Sequence, residues 1–161
     1  PGVFDQVAAR YPWFYMTLSF AYLGLMRSVI DFTRSYLRGD VDGVGRGGNA
    51  QKQHVWSEML LTYDRAHALT YEVLGGVRVD PHVDDVRRAW SAMVSTMEGA
   101  PHVASLASRA CGGRSILRPA PLERLFRDAR CGATMLPWSV EVCLERLGTY
   151  GIADPTDGAF A

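Results

Sequence analysis

Between Trp13 and Arg38 the apolar positions Phe14, Leu18, Tyr22, Leu25, Val29, Phe32 and Tyr36 recur at steps of four or three. That spacing marks one face of an α-helix, which turns once every ~3.6 residues. Leu23, Met26, Ile30 and Leu37 widen the face, and Arg27, Asp31, Arg34 and Arg38 confine the polar side chains to a narrow stripe. A helix apolar around most of its circumference must be enclosed by other helices or by another subunit. Thr17 and Ser19 interrupt the apolar run and Arg27 ends it. It therefore falls short of the ~20 apolar residues of a bilayer span, and no membrane partner is expected.

The remaining chain repeats this pattern between breaks. RGDVDGVGRGGNA, Arg38 to Ala50, is a glycine-rich loop. A second helix is predicted from about Gln51 to Leu74, with Trp56, Leu60, Tyr63 and His67 on its inner stripe and Gly75-Gly76 as its stop. Asp80 is expected to cap a third helix with Pro81 at its first position, and Asp84 and Asp85 suit the positive end of its dipole. That helix carries Val86, Trp90, Met93 and Met97 inward, and Gly99 and Pro101 should kink or split it. Ala100, Ala104, Ala107, Ser108 and Cys111 beyond them are small enough for close helix approach. A fourth helix spans about Pro121 to Arg130, with Leu122, Leu125, Phe126 and Ala129 inward, and a short fifth follows Pro137 with Val140, Leu144 and Leu147. No segment alternates with a period of two, so the expected fold is all-α, an up-down four-helix bundle over residues 13–148. Residues 1–12 read as a leader and 149–161 as a loosely held tail. The start PGVF, without methionine, is the pattern of a fragment or a processed product.

Composition excludes several functions. Seventeen basic residues balance 17 acidic ones, which argues against nucleic acid as the main partner while leaving room for a local basic patch. Lys52 is the only lysine; the other cations are arginines. Cys111, Cys131 and Cys143 are too few and too far apart for a zinc site or a disulfide framework. Buried thiols in a reducing cytoplasm are expected instead.

Local motifs add little on their own. GVGRGG, Gly43 to Gly48, matches G-x-G-x-x-G, but a helix precedes it where a dinucleotide fingerprint needs a strand. Asp40-Val41-Asp42-Gly43 lacks the later ligands of a calcium loop, because Val44 and Gln51 stand in their places. His54, His67, His82 and His102 form no metal-ligand pair, and His67 is expected to be a hydrogen-bonded core histidine. Glu141 and Glu145, one turn apart, have acid–base spacing and equally the spacing of a solvated face.

The densest signal is GGRSILRPAPLERLFRDARCGATMLPW, Gly112 to Trp138. Glu123 and Arg127, and Arg124 and Asp128, are i,i+4 pairs of opposite charge. The order Gly112, Gly113, Pro121, Glu123, Arg124, Arg127, Asp128, Ala129 and Arg130 resembles, without a gap, the C-terminal helical domain of the acyl-CoA dehydrogenase family. Tyr22 to Leu37 resembles the first helix of that domain, Gln51 falls where a Gln opens the second, and Ser57 to Leu60 is similar to the segment that follows.

The resemblance implies FAD, an acyl thioester of coenzyme A or a carrier protein, and a homo- or hetero-oligomer. In the family a carboxylate removes the α-proton while the β-hydrogen leaves to the flavin as hydride, so the implied reaction is α,β-dehydrogenation. Gln51, Arg109, Gly112 and Gly113 are the implied cofactor-binding residues. The family's usual catalytic carboxylate corresponds to Leu136 and its alternative to Phe14, neither of which accepts a proton, so no catalytic residue is assigned. Arg and Phe contacts to a neighbouring subunit's FAD correspond to Asp40 and Gly43, a Gln to Arg109, and later flavin contacts to Trp138 and Val140. Asp40 would repel phosphates, which leaves Arg109 or Arg46 to supply the charge. The charged cluster is expected to lock the last helices to the bundle, with Arg127 buried and paired. Two other functions fit the same fold: oxygenation by flavin, and a non-catalytic helical module that completes a partner's FAD site.

Overall fold

The structure, a computed structural model, describes residue 3 and residues 12–135, 139–150 and 152. A 3-10 turn, Pro12–Met16, leads into α1 (Ser19–Arg38). α2 (Ala50–Gly75), α3 (Val83–Cys111), α4 (Pro121–Cys131) and α5 (Val140–Thr149) follow, with 3-10 turns at Gly113–Ile116 and Gly132–Thr134. The described residues contain no strand, and the all-α bundle is as expected. No described helix is long and apolar enough to cross a membrane. The two flanking segments, 1–12 and 149–161, lie largely outside the described residues.

α3 is the axis of the bundle and packs against α1, α2, α4 and α5. Its small residues explain this, for Ala100, Ala104, Ala107 and Cys111 are all buried and let neighbouring helices approach. Gly99 forms a notch for Met26, since a Cβ there would stand 3.2 Å from the Met26 Cε. Of the kink or split expected at Gly99 and Pro101, the split does not occur, and α3 runs unbroken through both. Packing from four helices holds it continuous where proline removes one hydrogen bond. Its cap also differs. His82, not Asp80, accepts from the Asp84 amide through Nδ1 at 3.3 Å, and the Asp85 carboxylate accepts from the His82 amide at 3.0 Å. Asp80 adopts φ 54°, outside any helix.

The buried faces are rotated from those the periodicity favoured. In α1 the core positions are Leu23, Met26, Val29, Ile30 and Leu37, with Tyr22, Leu25, Phe32 and Tyr36 on the flanks. Phe14 and Leu18 are exposed, and α1 starts at Ser19 rather than Trp13. In α2 Val55, Met59, Ala66, Thr70 and Val73 are buried, while Trp56, Leu60 and Tyr63 only flank the core. His67 is not a core histidine. It is half-buried and stacks on Tyr71, with ring centroids 4.4 Å apart. Thr70 and Thr96 share a buried hydrogen bond of 3.2 Å that joins α2 to α3. α4 buries Leu122 and Ala129 but exposes Phe126, and α5 buries Val140 and Cys143 but exposes Leu144.

Only two of the three thiols are buried. Burial pushes the Cys111 thiol up to about 11 and the Cys143 thiol up to about 12, whereas Cys131 is exposed, against expectation. Because the thiolate is the reactive form, one thiol per folded chain should react with Ellman's reagent at neutral pH. Cys131→Ser should abolish that reaction, and all three should react in denaturant. Rapid labelling of two or three native thiols would contradict this packing.

Candidate functional site

The site forms where the end of α1, the glycine loop and the start of α2 meet the end of α3. Gly39 ends α1 at φ 89°, and a Cβ there would stand 2.8 Å from the Gly45 nitrogen, so this close return of the loop requires glycine. The Arg46 amide then donates to the Leu37 carbonyl at 2.7 Å, satisfying a helix-end acceptor. Asn49 caps α2 by accepting from the Lys52 amide at 3.1 Å.

Arg46 is committed to the loop. Its guanidinium reaches the two Asp42 carboxylate oxygens at 2.8 and 2.6 Å and lies over the Tyr36 ring at 4.3 Å. It therefore does not supply the charge missing at Asp40, as the sequence left open. Hydrogen bonding from Arg46, then from the Val44 amide, lowers the Asp42 carboxyl to about 2 from an ordinary 3.8. A lowered folded-state value gives stability that is present above the unfolded value and lost as pH falls through the folded one. The Asp42 contribution should thus vanish between pH 3.8 and about 2. Asp42→Asn should flatten the acid limb of the melting-temperature profile in that window, and an unchanged limb would contradict the pairing.

Two clefts flank Lys52. The first, about 590 Å³, is lined by Asn49, Gln51, Lys52, His54 and Arg109 among others. The second, about 600 Å³, is lined by Leu37, Trp56 and loop glycines together with Arg34 and Arg38. No Asp or Glu among the described residues lines either cleft. Lys52 borders both, and its Nζ donates to the Ala110 carbonyl, joining the start of α2 to the end of α3. The other cations are compensated: Arg34 by Asp31, Arg38 by Asp40 at 3.6 Å and His54 beside Glu58 at 3.2 Å. Among the described residues Lys52 and Arg109 form no ion pair. The positive end of the α2 dipole adds to the potential here.

The structure brings Gln51 and Arg109 together in the first cleft but does not place Gly112 or Gly113 among its lining residues. Gly112, at φ 82°, turns the chain out of α3, and a Cβ at either glycine would meet nothing within 4 Å. Lys52 and His54 are additions that spacing did not reveal. The signal lay in the Asn49 cap, which sets Lys52 in the first turn of α2.

The charged cluster is not a lock. Glu123 and Arg127 do pair, at 2.6 and 3.3 Å, but within α4 and with the Arg127 side chain 61% exposed. Arg124 and Asp128 form no pair among the described residues; from this cluster, Arg130 reaches Glu98 of α3 at 3.9 Å. Nor do Glu141 and Glu145 form an acid–base couple. The Glu141 carboxyl is held below its usual range by its own backbone amide and the Ser139 hydroxyl at the start of α5. Leu136 and Trp138 lie outside the described residues, Val140 is buried, and Phe14 sits exposed on the first 3-10 turn.

The sequence family described as acyl-CoA dehydrogenase, C-terminal domain, matches residues 13–136. The chain belongs to that family. The matched residues take in α1 to α4, including the charged segment of α4. Among solved structures, dibenzothiophene monooxygenase from Paenibacillus sp. A11-2 has a similar fold, with a TM-score of 0.72 and 21% identity. The match covers 87% of this chain and 39% of the monooxygenase, so the chain spans well under half of that protein's length. No curated protein sequence matches significantly.

Proposed function

We propose that this chain is the C-terminal helical domain of a FAD-dependent oxidoreductase and that Gln51 and Arg109 meet the cofactor in the first cleft. The observation that carries this reading is a cleft with no carboxylate among its described lining residues, which include Gln51, Lys52, His54 and Arg109 at the positive end of α2. Such a donor set fits a phosphate-bearing cofactor. Gly112 and Gly113, with open space at both Cβ positions, leave the adjoining backbone approachable. When bound, FAD would supply the redox chemistry. The residues of this chain bind and orient its phosphate end, and an oligomer would bring the remaining walls of the site. We place the protein in the cytoplasm, with a small-molecule substrate and no nucleic acid.

Two reactions fit this domain. α,β-Dehydrogenation of an acyl thioester needs a carboxylate of raised pKa in a dry pocket, and Leu136 and Phe14 provide none. Oxygenation needs no α-proton base, and the fold likeness to a monooxygenase supports it. We therefore favour oxygenation and keep dehydrogenation as the alternative. The test is anaerobic addition of an acyl thioester to the full-length protein, followed by reduction and oxygen uptake. Flavin bands that stay oxidised with the thioester, and oxygen consumed after reduction with label appearing in product, are expected. Bleaching by the thioester would instead establish a dehydrogenase whose base lies elsewhere. A protein that lacks flavin until a partner is added would be the non-catalytic module.

A further inference from the structure

Charge is segregated onto α4 and the turn before it. From Arg114 to Arg130 five arginines stand against Glu123 and Asp128, although the whole chain is neutral. All five are exposed. Arg114, Arg118 and Arg124 form no ion pair among the described residues. The cluster shares one side of the fold. The 3-10 turn Gly113–Ile116 packs on α4. The Glu123 carboxyl is held below its usual range chiefly by the hydrogen bond from Arg127, with the Arg118 charge adding to it. Leu122 and Ala129 take the inner side of α4, which leaves Arg124 and Arg127 outward. Apolar side chains are interleaved with the charges: Ile116, Leu117 and Phe126 are all exposed. A depression of about 400 Å³ is lined by Phe126, Arg127, Arg130 and Thr134 among others.

We propose that this face docks a partner protein that presents carboxylates around an apolar centre. Guanidinium groups pair with carboxylates through two parallel donors, and arginine beside an aromatic ring is the composition of interface cores. Arg114, Arg118 and Arg124 meet the partner's carboxylates, and the depression at Phe126 takes one of its apolar side chains. Nucleic acid fits less well, because Glu123 and Asp128 would face its phosphates. A bilayer fits less well, because the apolar side of α4 is already buried in the bundle. The contact needs no flavin and is independent of the FAD reading.

The test uses the full-length protein and fluorescent probes followed by anisotropy. The probes are a peptide alternating Asp or Glu with Leu and Phe, its Asn and Gln counterpart, a short DNA duplex, and vesicles containing phosphatidylserine. The acidic peptide should bind, weaken with added salt as screening grows, and protect the α4 amides from hydrogen exchange. Its amide counterpart should bind far less. Arg118→Glu combined with Arg124→Glu should lower the affinity for the acidic peptide roughly tenfold or more, the range of lost charge-assisted contacts. No binding of the acidic peptide, equal binding of the two peptides, or unchanged affinity in the folded double variant would overturn the proposal. Tighter binding of the duplex or the vesicles would also overturn it, and would assign the face to nucleic acid or membrane. If the double variant does not fold, the exchange map decides, and protection away from α4 and the preceding turn overturns the proposal.

Discussion

Replacing Leu122 with alanine is expected to destabilise the bundle by about 3 kcal/mol. Leu122 is fully buried and belongs to the same apolar cluster as Met26, Met59 and Val103. With Ala129 it holds α4 against the rest of the fold, and its loss leaves a cavity that rigid neighbours cannot close. Arg127→Ala is the control. Its partner lies on its own helix and its side chain is mostly solvated, and exposed i,i+4 pairs contribute little. Urea denaturation should therefore show a large shift of midpoint for Leu122→Ala and almost none for Arg127→Ala. The reverse order would restore the charged cluster as the element that fastens α4.

Gly132→Val should be comparably damaging for the opposite reason. Gly132 has ordinary helical angles, φ −59° and ψ −41°, so the backbone would accept a side chain. The space would not. A Cβ there would stand 2.5 Å from the Met97 Sδ and 2.6 Å from the Tyr22 ring, and Met97 is fully buried. Overpacking of this kind costs about 1–3 kcal/mol, and valine adds two further methyl groups to the clash. The Tyr22 hydroxyl also contacts the Met135 sulfur at 3.8 Å, so a displaced ring disturbs the segment leading to Leu136. Thermal melts of Gly132→Ala and Gly132→Val should fall in that order below wild type. A wild-type melting temperature for Gly132→Val would mean that this contact does not exist.

The helices were legible in the sequence because their breaks are strong signals. α2 and α4 end within a residue or so of the positions marked by Gly75-Gly76, Pro121 and Arg130. The faces were not, and the reason is physical. α1 is apolar on nearly all sides, so periodicity alone does not choose which side turns inward. The Gly99 notch chooses, by admitting Met26. His82 was missed as a cap because imidazole caps are unusual, and here Nδ1 acts as the acceptor. Glu123 and Arg127 pair as their spacing required, but spacing says nothing of depth, and the lock failed on exposure. The first cleft joins the start of α2 to the end of α3, residues 58 positions apart at the Lys52–Ala110 bond. No local pattern contains that juxtaposition. Family resemblance supplied Gln51 and Arg109, and neither route supplied Lys52.

The most direct measurement is the flavin content of the protein purified from its complete gene. The visible spectrum and the chromatographic identity of the released cofactor should be recorded for wild type and for Arg109→Gln. Stoichiometric FAD in wild type, reduced in the variant while the fold is unchanged, is the expected result. A wild-type protein that neither carries FAD nor takes it up at saturating concentration would contradict the assignment of this cleft to a flavin dinucleotide.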